Sequence, residues 1–201
     1  MSAHKPSLFT TNTLVVRETR TFMRSEFSIV NDEGTPIARV VQAGSLGRRM
    51  VGLGIKYDIL DIDEDGKDGD KLLTITDPPN IFGDTYKVIK PTGAQIATVK
   101  TKRFSFKSRL QLSIQGLDDV DADGGFRGRN YALNSKGRRI AKIDRKYRGL
   151  KGALTGKDTY ALHLEPNLNE ETRAAVIGTA LIIDVIRRKQ SAAASSASAS
   201  S

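Results

Sequence analysis

The chain has 201 residues and a net charge of +9, a size typical of one domain with a substantial hydrophobic core. It contains no cysteine, which excludes disulfides, thiolate metal sites and cysteine nucleophiles. His4 and His163 are the only histidines, so zinc sites and histidine-based catalysis are disfavoured. The positive charge favours an anionic partner, such as nucleic acid, phospholipid headgroups or a phosphorylated ligand.

Three parts of the chain differ in composition. Residues 1–11 lack the apolar run of a signal peptide and are predicted to be flexible. Residues 12–190 are predicted to form one domain. The segment 191–201 contains only Ser and Ala and is predicted to be a disordered tail. No stretch reaches the roughly 18–20 apolar residues of a membrane span, so we expect a cytoplasmic protein, soluble or peripheral at the membrane.

A hairpin pattern occurs three times, at residues 27–40, 86–99 and 131–143. In each copy an aromatic residue begins an alternating strand, a turn with glycine follows, and Ile-Ala-x-Val/Ile begins the return strand. The segments 57–59 and 72–75 read as a fourth copy with a longer, acidic turn.

Period-two alternation elsewhere gives about eleven or twelve short strands between Thr13 and Glu165, which predicts an antiparallel barrel or sandwich. Within the return strands, Ala38, Ala97 and Ala141 share one face with the following Val or Ile, and small residues there suggest that another element packs closely. The opposite face is expected to be solvated, and it carries Arg39, Lys100, Lys102, Lys142 and Lys146.

The C-terminal region predicts one helix. Asn169 is a candidate N-cap, Glu170 and Glu171 occupy the first turn, and basic residues 187–189 close the last turn. Residues 174–186 are almost entirely apolar, unlike an amphipathic surface helix. This run covers only about 20 Å, so the pattern predicts a helix enclosed by a barrel rather than a membrane span. Asp184 would then need a hydrogen-bonding partner or a position near the barrel opening.

The three hairpins and the helical run 174–184 resemble the LURP-one-related proteins of the tubby C-terminal-like superfamily, which also includes the phospholipid scramblases. The likeness covers about residues 13–189 and implies a closed barrel of about twelve strands around a hydrophobic central helix. Tubby-type members bind phosphoinositide headgroups through basic barrel residues, and scramblases are linked to anionic phospholipid and calcium. The cysteine-rich and calcium-binding segments of scramblases have no counterpart here, which argues against scramblase-like lipid translocation.

The positive charge is concentrated in residues 100–151, which hold fifteen Lys or Arg and five Asp, a net charge of +10. We therefore predict a localised basic face that binds an anionic headgroup or phosphate. Nucleic acid is an alternative ligand, with Phe104, Phe106 or Tyr147 available for stacking, and a protein-interaction scaffold or a merely solvated face are others. The candidate residues are Lys100, Lys102, Arg103, Lys107, Arg109, Arg138, Arg139, Lys142, Arg145, Lys146 and Arg148.

Two acidic repeats begin like calcium-binding loops, Asp61-x-Asp63-x-Asp65-Gly and Asp119-x-Asp121-x-Asp123-Gly. The twelfth position, which should be Glu, is Leu72 in the first and Asn130 in the second. We therefore predict acidic hairpin turns in preference to calcium sites, and no other cofactor.

No arrangement of residues indicates catalysis. His163 lies on a predicted strand and is expected to be a surface or structural histidine, and no nucleophile motif or phosphate-binding loop is present. The leading hypothesis is a non-enzymatic module that binds anionic phospholipid through its basic face.

Overall fold

The computed structural model describes residues 7–21, 24–43, 54–77, 85–101, 110–123, 130–145 and 159–198. Within these ranges the chain forms twelve β-strands and one α-helix. The strands are β1 Thr13–Thr21, β2 Arg24–Val30, β3 Pro36–Ala43, β4 Ile55–Ile62, β5 Asp68–Asp77, β6 Thr85–Ile89, β7 Gln95–Thr101, β8 Leu110–Ile114, β9 Val120–Asp123, β10 Asn130–Ser135, β11 Arg138–Asp144 and β12 Tyr160–Leu164. The helix α1 is Glu170–Ser198.

The strands form a single antiparallel sheet in the order β8-β7-β6-β5-β4-β3-β2-β1-β12-β11-β10-β9. Its two outer strands, β8 and β9, approach each other, so the sheet curls into a nearly closed barrel. The predicted barrel of about twelve strands is therefore confirmed. Near closure also hides most of the backbone edge that an open sheet would expose to pairing with another chain.

The barrel has two distinct ends because consecutive strands run in opposite directions. The tight turns 31–35, 63–67, 90–94 and 136–137 all lie at the end where α1 begins, which we call the entry end. The strand ends that flank residues 22–23, 44–53, 78–84, 102–109, 124–129 and 146–158 lie at the opposite end, which we call the exit end. The helix runs between them, since Glu171 pairs with Lys90 at the entry end and Asp184 pairs with Arg145 at the exit end.

The predicted hairpins are confirmed, and their Ile-Ala pair has a structural explanation. In the register of β2–β3, β6–β7 and β10–β11, the alanines pair across the hairpin whereas Ile37, Ile96 and Ile140 are each skipped. Each isoleucine is thus the extra residue of a β-bulge, which turns two consecutive side chains toward the interior. All six of these isoleucine and alanine side chains are buried.

The fourth hairpin, β4–β5, follows the same design with Leu72 as the skipped residue and Leu73 paired with Ile59. Its turn is not longer than the others, contrary to the sequence prediction. Asp63 N donates to Lys67 O, as Asn31 N does to Thr35 O and Lys90 N to Ala94 O. The additional residues extend the two strands instead.

Helix α1 fills the barrel, as predicted. Every residue from 174 to 186 is buried, including Thr179 and Asp184, because strands surround the helix on all sides. Gly178 allows a close approach between helix and sheet, because a Cβ built at this position would lie 2.5 Å from a methyl carbon of Val88 on β6. Glycine at this point therefore sets how near the helix can lie to the sheet.

The start of α1 agrees with the sequence prediction and its end does not. Thr172 N donates to the Asn169 Oδ1 at 2.8 Å, which confirms Asn169 as the N-cap. The helix continues to Ser198 instead of ending at Lys189, so it includes the Ser/Ala segment, predicted to be disordered, as far as Ser198. Alanine has the highest intrinsic helix propensity, which explains why the helix continues beyond the core.

Within the described residues, no helix combines the length and apolar character needed to cross a membrane.

Candidate anion-binding surface

The basic residues proposed from the sequence that the structure describes are spread over both ends of the barrel. Arg138 and Arg139 begin β11 at the entry end, whereas Arg145 follows its exit end, about 20 Å away at 3.3 Å per residue. Arg139 Nε lies 3.7 Å from Glu165 Oε1. Lys102, Arg103, Lys107, Arg109, Lys146 and Arg148 lie outside the described residues. Sequence proximity therefore misled the grouping of Arg138 and Arg139 with the other described candidates.

Arg145 is directed toward the helix. Its guanidinium forms an ion pair with the Asp184 carboxylate and lies 5.8 Å from the centre of the Tyr160 ring. The Asp184 side chain is only 4% exposed, so Arg145 supplies the partner that this buried carboxylate requires. The expectation that Asp184 needs a hydrogen-bonding partner or a position near the opening is confirmed by this ion pair, and Arg145 is engaged there rather than on the outer face.

Tyr131 lies beside this ion pair. Its hydroxyl donates to the Ala180 carbonyl oxygen at 3.3 Å, which ties β10 to the helix. Burial raises the pKa of Tyr131 well above its usual range, and the negative charge of Asp184 raises it further. The tyrosine therefore remains a neutral hydrogen-bond donor within the barrel.

A basic surface that the sequence analysis missed lies on the outer face of β4–β8. Strand register aligns Lys56 with Thr76, Thr76 with Lys87, and Lys87 with Thr98. Lys100 lies one outward-facing position further toward the exit end, paired with Thr85 on one side and Gln111 on the other. We call Lys56, Lys87 and Lys100, with Thr76, Thr85 and Thr98, the outer lysine surface.

These side chains face outward because the residues alternating with them fill the core. Tyr86, Val88 and Val99 are buried, whereas Lys56 and Lys100 are exposed and Lys87 is half-buried. Strands lie about 4.8 Å apart, so Lys56 and Lys87, two strands apart, have backbones separated by about 10 Å. Lys87 and Lys100 are diagonal neighbours on adjacent strands, separated by about 7–8 Å. One phosphate-bearing surface can contact all three ammonium groups.

The outer lysine surface has no acidic residue within its paired rows. The nearest carboxylate on β4, Asp58, is already engaged, since it accepts from Thr74 Oγ1 at 2.7 Å and lies 3.0 Å from Lys71 Nζ. Hydroxyl groups separate the lysines, and both groups can donate hydrogen bonds to phosphate oxygens. The arrangement is chemically suited to an anion that accepts several hydrogen bonds.

The first acidic repeat is a hairpin turn, as predicted. Asp63 Oδ1 accepts from Lys67 N at 2.8 Å, and Asp65 lies 3.6 Å from Lys67 Nζ. Asp61 lies on β4 before this turn. The described residues contain no group of three or more histidine, aspartate or glutamate side chains that could hold a metal ion.

The second acidic repeat is not simply a turn. Asp121 and Asp123 lie on β9, and only Asp119 belongs to the preceding turn, where it has a positive φ of 46°. Asn134 Nδ2 donates to Asp121 Oδ2 at 3.3 Å, which links β9 to β10. The Asp121 carboxylate therefore contributes to the pairing of β9 with β10, and Asp119 contributes its backbone conformation to the turn.

His163 is a structural histidine, as predicted. Its Nδ1 lies 3.2 Å from Thr13 Oγ1, across the β1–β12 pair. Burial lowers the pKa of His163, and the neighbouring Lys142 lowers it further. The His163 side chain therefore links β12 to β1 on the outer wall of the barrel.

Arg173 is a buried cation that sequence reasoning did not single out. It donates hydrogen bonds to Thr11 O at 3.0 Å, to Asn12 Oδ1 at 2.9 Å and to Pro166 O at 3.4 Å. It thus ties the segment before β1 to the start of α1 and closes the entry end. The burial of Arg173 could not be predicted from the sequence, because its hydrogen-bonding partners on Thr11 and Asn12 come close to it only in the folded chain.

A family model described as LURP-one-related matches residues 12–184. The matched range contains all twelve strands and the buried part of α1 as far as Asp184. The chain belongs to the LURP-one-related family. Comparisons with curated proteins and with solved structures gave no significant match. The family match assigns no role to an individual residue of this LURP-one-related chain.

Proposed function

We propose that this LURP-one-related domain is a non-enzymatic module that binds an anionic phospholipid surface through its outer lysine surface. The observation that carries the proposal is the alignment of Lys56, Lys87 and Lys100 on three strands with hydroxyl residues between them. Each lysine near an anionic membrane contributes on the order of 1 kcal/mol to the binding free energy, so the three lysines together contribute about 3 kcal/mol.

The sequence adjoining this surface supports the proposal. Strands β3, β4, β7 and β8 reach the exit end at Ala43, Ile55, Thr101 and Leu110. Residues 44–53 and 102–109, which connect those strands, contain six Arg or Lys and no acid. The β5–β6 connection, residues 78–84, adds one aspartate, Asp84. The sequence of these connections is therefore strongly cationic, with six basic residues against one aspartate.

Among the described residues, the positions of the aromatic side chains favour lipid over nucleic acid. Binding of single-stranded nucleic acid commonly uses exposed aromatic rings on which bases stack. In the described part of the chain, Phe27, Tyr86, Tyr131 and Tyr160 are buried in the barrel, and no aromatic residue belongs to the paired rows of the outer lysine surface. The candidates Phe104, Phe106 and Tyr147 lie outside the described residues. Charge and hydroxyl groups match phospholipid headgroups without requiring stacking.

Co-sedimentation with vesicles tests the proposal. We expect the protein to bind vesicles containing phosphatidylserine or phosphoinositide, to bind phosphatidylcholine vesicles much less, and to dissociate as salt is raised. The variant Lys56→Glu/Lys87→Glu/Lys100→Glu should bind at least about 100-fold more weakly, because three attractions of about 1 kcal/mol each are lost and repulsion is added.

A matched variant separates local charge from net charge. Lys67→Glu/Arg138→Glu/Arg139→Glu changes the net charge equally, but these exposed residues lie at the entry end. We expect this control to retain most of the binding. Equal loss in both variants would show that the outer lysine surface is not the binding site. Absence of binding to every anionic vesicle would refute the function, and tighter binding to RNA that is lost only in the first variant would reassign it to nucleic acid.

A further inference from the structure

Charge is segregated along the barrel axis. The entry end exposes ten carboxylates in its turns and at adjoining ends of elements, against seven cations in the same region. The acidic residues are Asp32, Glu33, Asp63, Glu64, Asp65, Asp68, Asp70, Asp118, Asp119 and Glu170, and the cations are Arg39, Lys67, Lys71, Lys90, Lys136, Arg138 and Arg139. The outer lysine surface, in contrast, lies in the exit half of the β4–β8 wall.

The two charged regions act independently at physiological salt. Thr92 lies in the turn that begins β7 at the entry end, and Lys100 lies near the exit end of the same strand. Eight residues of extended chain span about 25 Å, whereas the Debye length at 0.15 M ionic strength is about 8 Å. A bilayer that contacts one region is therefore screened from the other.

The barrel wall formed by β10–β12 carries no comparable group of lysines. Its outward row runs from His163 through Lys142 and Ala132 to Asp123, so the exposed cation and carboxylate lie two strands apart in the same row. Asp144 lies on the same strand as Lys142, two residues further toward the exit end. On this wall, the attraction of an anionic membrane to Lys142 is therefore offset by its repulsion from Asp123 and Asp144.

We propose that the domain docks on an anionic bilayer in one orientation, with the exit half of the β4–β8 wall against the headgroups and the acidic entry end directed away. This inference rests on the proposed function. One charge near an anionic membrane changes affinity by about fivefold, with the sign set by the charge. Three attractive lysines at one end and a net excess of carboxylates at the other therefore favour this orientation over the inverted one by more than about 100-fold.

Site-specific fluorescence quenching tests the orientation. The native chain has no cysteine, so a single introduced cysteine carries the only thiol-reactive label. Gln111→Cys places the label beside Lys100, Thr92→Cys places it at the entry end, and Ala132→Cys places it on β10, beyond the junction between β8 and β9. Each labelled protein is mixed with phosphatidylserine vesicles that carry a quencher on the lipid headgroup, and binding is measured in the same samples by co-sedimentation.

We expect strong quenching at position 111 and weak quenching at positions 92 and 132. Equal quenching at all three positions, or stronger quenching at 92, with binding intact would overturn the orientation while leaving the proposed function standing. Absence of both binding and quenching would overturn both.

Reversal of the acidic end provides a second, independent measurement. Asp32→Lys/Glu33→Lys/Glu64→Lys changes exposed turn residues at the entry end and should leave the fold intact, as checked by circular dichroism. Because the entry end then attracts anionic lipid, the label at position 92 should become quenched. Unchanged, weak quenching at position 92 despite tighter binding would contradict the inference.

Discussion

The contact between Gly178 and Val88 gives the most decisive test of how the helix is held in the barrel. In Gly178→Ala, the new Cβ would lie 2.5 Å and 2.7 Å from the two methyl carbons of Val88, both inside the distance that real contacts tolerate. Val88 is completely buried on β6, so it has little room to move. Overpacking of this kind costs about 1–3 kcal/mol, whereas alanine improves helix propensity by only about 1 kcal/mol. We expect a net destabilisation of up to about 2 kcal/mol.

Urea denaturation of a double-mutant cycle measures this effect. Val88→Ala removes both clashing methyl groups, so Gly178→Ala should be much better tolerated in that background, with a coupling energy of about 1–3 kcal/mol. Gly69→Ala is the control, because its Cβ would make only ordinary contacts of 3.6 Å with Asp61. If Gly178→Ala stabilises the protein, or if the two changes add independently, the close packing of helix and sheet is not as described.

Three further predictions concern the polar groups of the core and barrel wall. Asp184→Asn should destabilise the protein by up to about 3 kcal/mol, since Arg145 loses its charged partner, whereas Asp184→Leu/Arg145→Met should recover most of the loss in urea titrations. Because the pKa of His163 is lowered in the folded protein, the unfolded state, with a pKa near 6.5, takes up the proton before the folded state does as pH falls. Stability should therefore fall as pH drops below about 6.5, and His163→Gln, but not His4→Gln, should reduce this dependence. Asn169→Ala should lower unfolding free energy by about 1 kcal/mol by removing the acceptor for Thr172 N–H.

Local sequence was sufficient to predict most of the fold. The hairpins are determined by short-range signals: glycines with positive φ, such as Gly34 and Gly93, and alternating strands that begin with an aromatic residue. The helix was predictable because residues 174–186 are apolar on every side, and a barrel that encloses the helix provides burial on every side. The bulge was not predictable, because alternation alone assigns adjacent residues such as Ile37 and Ala38 to opposite faces.

The candidate site was predicted poorly because it depends on alignment between distant strands. Lys56, Lys87 and Lys100 lie far apart in the sequence and become neighbours only through the register of β4 to β7. Conversely, Arg139 and Arg145 are close in sequence, yet a strand carries them to opposite ends of the barrel. Strand alternation therefore identified Lys100 correctly as outward-facing and exposed, whereas the charge count grouped it with Arg138 and Arg139, which lie at the other end of the barrel.

The repeated bulge connects the core to the charged exterior. By turning two consecutive residues inward, it supplies additional apolar area to a helix that must be buried on all sides. It also shifts the alternation by one residue, so the positions after the bulge, including Lys100 and Lys142, face outward while Val99 and Ile143 remain inside. If Ile96 alternated regularly with its neighbours instead of forming the bulge, Val99 would face outward and Lys100 inward. The device that allows the barrel to enclose its helix therefore also places a lysine on the surface proposed to bind lipid.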